Sequence, residues 1–253
     1  MKISTIKRKK GFTLIELLVV IAIMAALAGV GYPIITSMMV AGDRQAASDN
    51  LKQIGTALST FKTDIKTYPS DGAAKHNRIV RVAEKHGEVT GTTSNPYFRQ
   101  LFYKTKGGVS EENFYATLPN FVKGDNYTGM GETLKAGECS FSYVMRKPVA
   151  TAAPKKGKRK PADGAFRPVN EGPIAMCGTI PSTTPTDLQN VGFDLEVFGG
   201  YAYAVTTDGR IITLEQDVHL KDKDGEGKLI PGKIRDIFRT DTQDYVNLSP
   251  ETF

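Results

Sequence analysis

Histidine is scarce in this 253-residue chain: only His76, His86 and His219 occur, none in a His-Glu-x-x-His pattern or beside a candidate nucleophile. A zinc hydrolase is unsupported on that ground. There is no Gly-x-Ser-x-Gly elbow, Gly227-Lys228 is followed by Leu229 rather than Ser or Thr, and position 222 is Asp where a phosphate-binding loop needs Gly. Nucleotide hydrolysis is equally unsupported, and the chain reads as a non-enzyme with no bound organic cofactor. Cysteine is limited to Cys139 and Cys177, both in apolar, strand-like surroundings. A Cys139–Cys177 bridge in an oxidising compartment and a pair of buried free thiols fit equally well. Charge is missing too: from Phe12 to Ala41 the sole charged residue is Glu16.

That charge-free run follows a basic cluster, Lys7, Arg8, Lys9 and Lys10, and then Gly11. A helix needs about 20 apolar residues to span a bilayer, and positive flanks hold their end in the cytoplasm, so a single-pass anchor is expected over 12–41. A carboxylate in such a helix is costly unless it has a partner or a function. If the chain is cut after Gly11, Glu16 lies close behind the new α-amino group of Phe12 and can meet that group on a neighbouring molecule.

The stretch Lys10-Gly-Phe-Thr-Leu-Ile-Glu-Leu-Leu-Val-Val-Ile-Ala-Ile23 resembles the signal of type IV pilins and type II secretion pseudopilins. The resemblance implies cleavage after Gly11 by prepilin peptidase, N-methylation of Phe12, and assembly through Glu16 with copies of the chain or other pseudopilins on an inner-membrane platform. It implies an inner-membrane, single-pass location with the carboxyl-terminal domain periplasmic. A secretion pseudopilus is the first reading. A type IV pilin or minor pilin for adhesion, motility or DNA uptake is the second, and a membrane-tethered periplasmic binding domain the third. An ordinary secretory signal cut at Ala26-Leu27-Ala28 fits less well, because Glu16 interrupts its apolar region and the apolar pattern continues past Ala28.

The formal charge of +6 is uneven. The leader holds Lys2, Lys7, Arg8, Lys9 and Lys10, and the run Lys147 to Arg167 holds seven Lys and Arg against one Asp, so the remainder is acidic. A nucleic-acid partner is not expected. The basic run has no apolar periodicity and is rich in Pro, Gly and Ala, so 147–168 reads as a mobile, solvated loop.

Past the anchor, Ala47, Leu51, Ile54, Leu58, Phe61, Ile65 and Tyr68 recur at spacings of four and three. This predicts one amphipathic seam on a helix continuing to about Lys66, ended by Tyr68-Pro69. Gly29, Gly31 and Pro33 predict a kink or melted turn inside the anchor. Short helices are expected over 77–120: at Arg78–Lys85, from Asn95-Pro96 to Tyr103, and after Ser110. Strand patterns follow at Cys139–Met145, Ile174–Gly178, Tyr201–Thr206 and Arg210–Leu214, with a hairpin turn at Thr207-Asp208-Gly209. The expected fold class is α+β, pilin-like: a long amino-terminal helix packed on a carboxyl-terminal antiparallel sheet. The organisation is leader 1–11, anchor 12–41, helix continuation 42–68 and head 69–253.

One constellation suggests metal. Asp222, Asp224 and Glu226 alternate through a Gly-containing turn, like the start of a calcium loop. Position twelve of that loop is Lys233 instead of Glu, so Asp217 or Asp236 must complete the shell, and this departure favours a plain solvated turn.

Overall fold

The computed structural model describes residues 12–104, 109–125, 133–148, 165–221, 227–230, 234–238 and 243–252, except for the side chains at 30, 31, 33, 34, 221 and 234. Helix α1, Leu14–Ile65, is 52 residues long. The chain divides within it into two compact units, Met1–Gly42 and Asp43–Phe253. The helix runs unbroken through residues 29–33, so the expected melted turn is absent. A proline removes a single ladder hydrogen bond, and the turns on either side keep theirs.

In the second unit the predicted seam is the buried face of α1. Ala47, Leu51, Ile54, Leu58, Phe61 and Ile65 are each 8% exposed or less. The residues between them, including Lys52, Gln53, Thr56, Ser59 and Lys62, face outward. Lys66 then takes a positive φ of 69° and donates its N–H to the Lys62 carbonyl at 2.9 Å, the left-handed cap that glycine more often fills. Beyond it the Tyr-Pro exit hangs from the sheet: the Tyr68 hydroxyl donates to the Thr207 carbonyl at 2.9 Å, and Tyr143 donates to the Pro69 carbonyl at 3.0 Å.

The strands are β1 (Phe141–Arg146), β2 (Arg167–Pro168), β3 (Pro173–Cys177), β4 (Thr186–Asp187), β5 (Tyr201–Thr206), β6 (Ile211–Glu215), β7 (Leu220–Lys221), β8 (Lys228–Leu229) and β9 (Tyr245–Leu248). They form a seven-stranded sheet in the order β4-β9-β1-β3-β5-β6, with β2 paired to β1, while β7 and β8 form a separate pair. Every strand pairing is antiparallel. Strands β1 and β3 are buried almost throughout. That explains why β3, Pro-Ile-Ala-Met-Cys, is apolar at every position instead of alternating. At the β5–β6 hairpin, Gly209 adopts φ 82°, and the Asp208 carboxylate accepts from the Thr206 hydroxyl and from Arg210 Nε. These two donors, Thr206 first, hold the Asp208 carboxyl below its usual range.

Between helix and sheet lie the 3-10 turn Ala73–Lys75, α2 (Asn77–His86), α3 (Asn95–Arg99) and two further 3-10 turns, Gln100–Tyr103 and Glu111–Phe114. Ser110 and Asn113 form a reciprocal capping box on the last of these turns. Aromatic packing joins this segment to the sheet, with Phe98 and Tyr97 ring centroids 5.3 and 5.9 Å from that of Tyr143. Polar side chains then fasten its loops. Arg99, 2% exposed, donates from Nε to the Thr133 carbonyl at 2.6 Å and from its terminal nitrogens to the Leu134 and Glu88 carbonyls. Gln100 donates to the carbonyls of Ser70 and Val89, and Asn95 donates to those of Leu134 and Lys135. Backbone groups that no helix or strand can pair are satisfied this way.

The loop boundaries 147–168 were drawn too wide. Lys147 donates its N–H to the Asp244 carbonyl at 2.7 Å and pairs its ammonium with Asp187 at 2.8 Å, while Arg167–Pro168 is strand β2. Bonds to Asp244 and Asp187 at one end and backbone pairing to β1 at the other hold these ends despite a composition that looks unstructured. Residues 149–164 lie outside the described residues.

The cysteines resolve the pair of alternatives toward free thiols: Cys139 and Cys177 are unbridged and fully buried. Cys139 Sγ donates to the Phe141 carbonyl at 3.4 Å, and Cys177 sits within β3 opposite Phe141. Burial pushes the Cys139 thiol up to about 12 and the Cys177 thiol higher still.

Two expectations follow from this packing. A Cβ at Gly55 would lie 2.7 Å from Val205 Cγ2, so Gly55→Ala gains about 1 kcal/mol of helix propensity but loses about 1–3 kcal/mol to overpacking against a stiff β-branched side chain. The denaturation midpoint should therefore fall. In a Val205→Ala background the same substitution should raise the midpoint, because only the propensity gain remains. The thiols should be silent to a disulfide reagent in the native protein at pH 8, and both should react once denaturant is added; two reactive thiols in the native state would contradict their burial.

Candidate functional site

The site expected from sequence is the first turn of α1 and the apolar surface behind it. Leu14 opens the helix, with Thr13 just before it. The Thr13 N–H and hydroxyl both donate to Glu16 Oε2 at 2.8 Å, and the Glu16 N–H donates back to Thr13 Oγ1 at 3.3 Å. This is a reciprocal capping box: each side chain answers a backbone donor that the helix cannot pair. Glu16 thus has an intrachain role that was not anticipated. Its signal was present as Thr13-x-x-Glu16 immediately before an apolar run. The box fixes the carboxylate at the amino end of the helix, where the macrodipole favours negative charge.

Phe12 is 75% exposed, beside that carboxylate along the chain. Gly11 and the rest of the leader lie outside the described residues. From Phe12 to Met39, fifteen large apolar side chains are exposed, among them Leu14, Leu18, Ile21, Met24, Leu27 and Ile35. A helix apolar on every side is one that something covers. At about 1.5–3 kcal/mol for each side chain fully buried, covering this surface is worth on the order of 20 kcal/mol or more. No single interaction within the head approaches that magnitude.

Among the described residues no helix is long and apolar enough to cross a membrane. The apolar run in the sequence is nonetheless continuous from Phe12 to Ala41 except for Glu16. The described side chains form a shorter unbroken stretch, Leu14–Gly29, because those at 30, 31, 33 and 34 are outside the described set. Pro33 is one of these, so its side chain has no described role.

Asp222, Asp224 and Glu226 also lie outside the described residues. On either side of them Lys221 pairs with Lys228 in the β7–β8 hairpin. Gly227, at φ 45°, seats that hairpin: a Cβ there would lie 2.7 Å from the Phe193 carbonyl oxygen, and Phe193 donates its N–H to the Gly227 carbonyl at 3.2 Å. Among the described residues no group of His, Cys, Asp or Glu could hold a metal ion.

Residues 6–32 match the family described as the prokaryotic N-terminal methylation motif. The chain is 38% identical over 63 residues to the type II secretion system core protein G of Pectobacterium carotovorum subsp. carotovorum, a match covering 25% of this chain and 40% of that protein. No solved structure matches it. The matched region contains the signal, and the observed long helix with its antiparallel sheet is the architecture which that signal implied. The chain thus carries the amino-terminal methylation motif and is similar, over a minority of its own length and less than half of that protein's, to a core protein of type II secretion.

Proposed function

We propose that this chain is a subunit of a type II secretion pseudopilus. Prepilin peptidase cuts it after Gly11 and methylates Phe12. Residues 12–41 hold it in the inner membrane as a single-pass anchor with the head in the periplasm, and an assembly platform then draws it into a helical filament. The observation that carries this reading is Glu16, a lone carboxylate fixed at the amino end of an otherwise apolar, uncovered helix surface.

Cleavage would place a positive amine at a helix amino terminus, where the macrodipole repels it. A carboxylate from an adjacent subunit neutralises that amine in an environment without water, where an unpaired charge is expensive. The apolar helices then bundle with one another. Such a contact joins different surfaces of identical chains and does not close, so it propagates into a filament. Similarity to a protein named as a core component of type II secretion supports this filament over an adhesive pilus. The matched segment is a minor part of both proteins, so secretion itself is the part of the proposal that rests on least of the chain.

Glu16→Val separates insertion from assembly. The variant should enter the membrane and be processed normally, since it removes a charge and one terminal cap from a long apolar helix, yet it should be absent from sheared filaments. Incorporation equal to the unsubstituted chain would remove the proposed charge pairing.

A further inference from the structure

At the β4 edge of the sheet, well away in sequence from the signal, a cavity of about 180 Å³ is lined by apolar Ile180 and Val191 and by polar Thr186, Asn190, Asn247 and Ser249. No charged residue lines it. Asn247 and Ser249 are each 1% exposed, yet Asn247 Oδ1 and Ser249 Oγ have no hydrogen-bond partner. The hydroxyl of Thr179, which precedes the lining residue Ile180, is buried and unpartnered as well. Folded proteins pair nearly all such atoms, so a cluster of orphans around one opening needs an explanation. Asn247 lies in β9 and Ser249 just past its end, and both line the same cavity.

The lining narrows the ligand. Phosphate, carboxylate or a metal cation would have to shed its hydration with no opposite charge to receive it. A purely apolar group would leave the orphans unpaired. What fits is a neutral group with a C–H face for Ile180 and Val191 and adjacent hydroxyls that both donate and accept: one to donate to Asn247 Oδ1, the next to exchange bonds with Ser249 Oγ. The volume is below the roughly 300–1,000 Å³ of drug-sized sites, so it admits one ring. We infer that the cavity beside β4 and β9 is a subsite for a single neutral pyranose, free or at the end of a glycan.

The test uses the full chain in a zwitterionic detergent without a sugar headgroup, followed by saturation-transfer NMR. The probes are methyl α-glucopyranoside, methyl β-galactopyranoside, N-acetylglucosamine and a trisaccharide ending in each. At least one monosaccharide should bind saturably with a dissociation constant of roughly 1–10 mM. A trisaccharide binding at least tenfold tighter identifies a glycan end as the ligand, and equal affinity identifies the free sugar. Asn247→Leu should weaken binding at least tenfold without lowering the melting temperature, because it removes an atom that has no partner to lose. Asn190→Trp, at an exposed position on the 3-10 turn Leu188–Asn190, should block the mouth with the same effect and no change to the core. Absence of saturable binding up to about 50 mM, or binding that neither substitution changes, would overturn the proposal and leave a cavity that holds only water.

Discussion

A single helix here has to satisfy two different surroundings, and that constraint organises the molecule. From Leu14 to Met39 the described side chains of α1 are exposed and, apart from Glu16, Thr36 and Ser37, apolar or small, whereas from Ala47 to Ile65 only one stripe is apolar and that stripe is buried. The second half is an ordinary amphipathic helix whose stability comes from the sheet. The large apolar side chains of the first half are exposed, and the free energy of covering them exceeds what any single contact in the head supplies. In the proposed function, membrane residence and filament assembly would be two ways of covering the same surface, with one segment serving first as an anchor and then as a filament core.

The head is built to hold the second half rigidly. Close approach of Gly55 to Val205 lets α1 lie against β5, and the hydroxyls of Tyr68 and Tyr143 tie the exit turn to the β5–β6 hairpin and to β1. Near the helix end, Asp64 accepts from Tyr103 at 2.6 Å and pairs with Lys104 at 2.7 Å. The segment between helix and sheet adds its own polar lattice around Arg99, Gln100 and Asn95. Each of these side chains spends its donors on main-chain carbonyls, so an irregular stretch is fixed in place without regular secondary structure of its own.

Periodicity made the helix and its seam legible: every seam residue from Ala47 to Tyr68 is buried, and the helix ends within a residue or two of where the Tyr-Pro turn placed it. The central strands were legible from short apolar, aromatic and β-branched runs bounded by turn residues, and Tyr201–Thr206 was found to the residue. Strand β9 was missed. Its four residues include Asn247, and its place beside β1 is set by long-range pairing that no local pattern reveals. Arg99 was likewise opaque, since a cation bonded to backbone carbonyls leaves no signature in spacing. Thr13 was a different kind of miss. The Thr-x-x-Glu pattern was present, but Glu16 had drawn attention as a charge in an apolar run and not as half of a cap.

The account depends on a free amine being created at Phe12 beside Glu16, since without it the lone carboxylate has only its capping role and the helix is only an anchor. Mass spectrometry of the amino-terminal peptide, taken from membrane-extracted protein made in cells that carry a prepilin peptidase, tests this most directly. The account predicts a chain that begins with N-methyl-Phe12. A chain that begins at Gly29, after cleavage behind Ala28, or one that retains Met1, would contradict it.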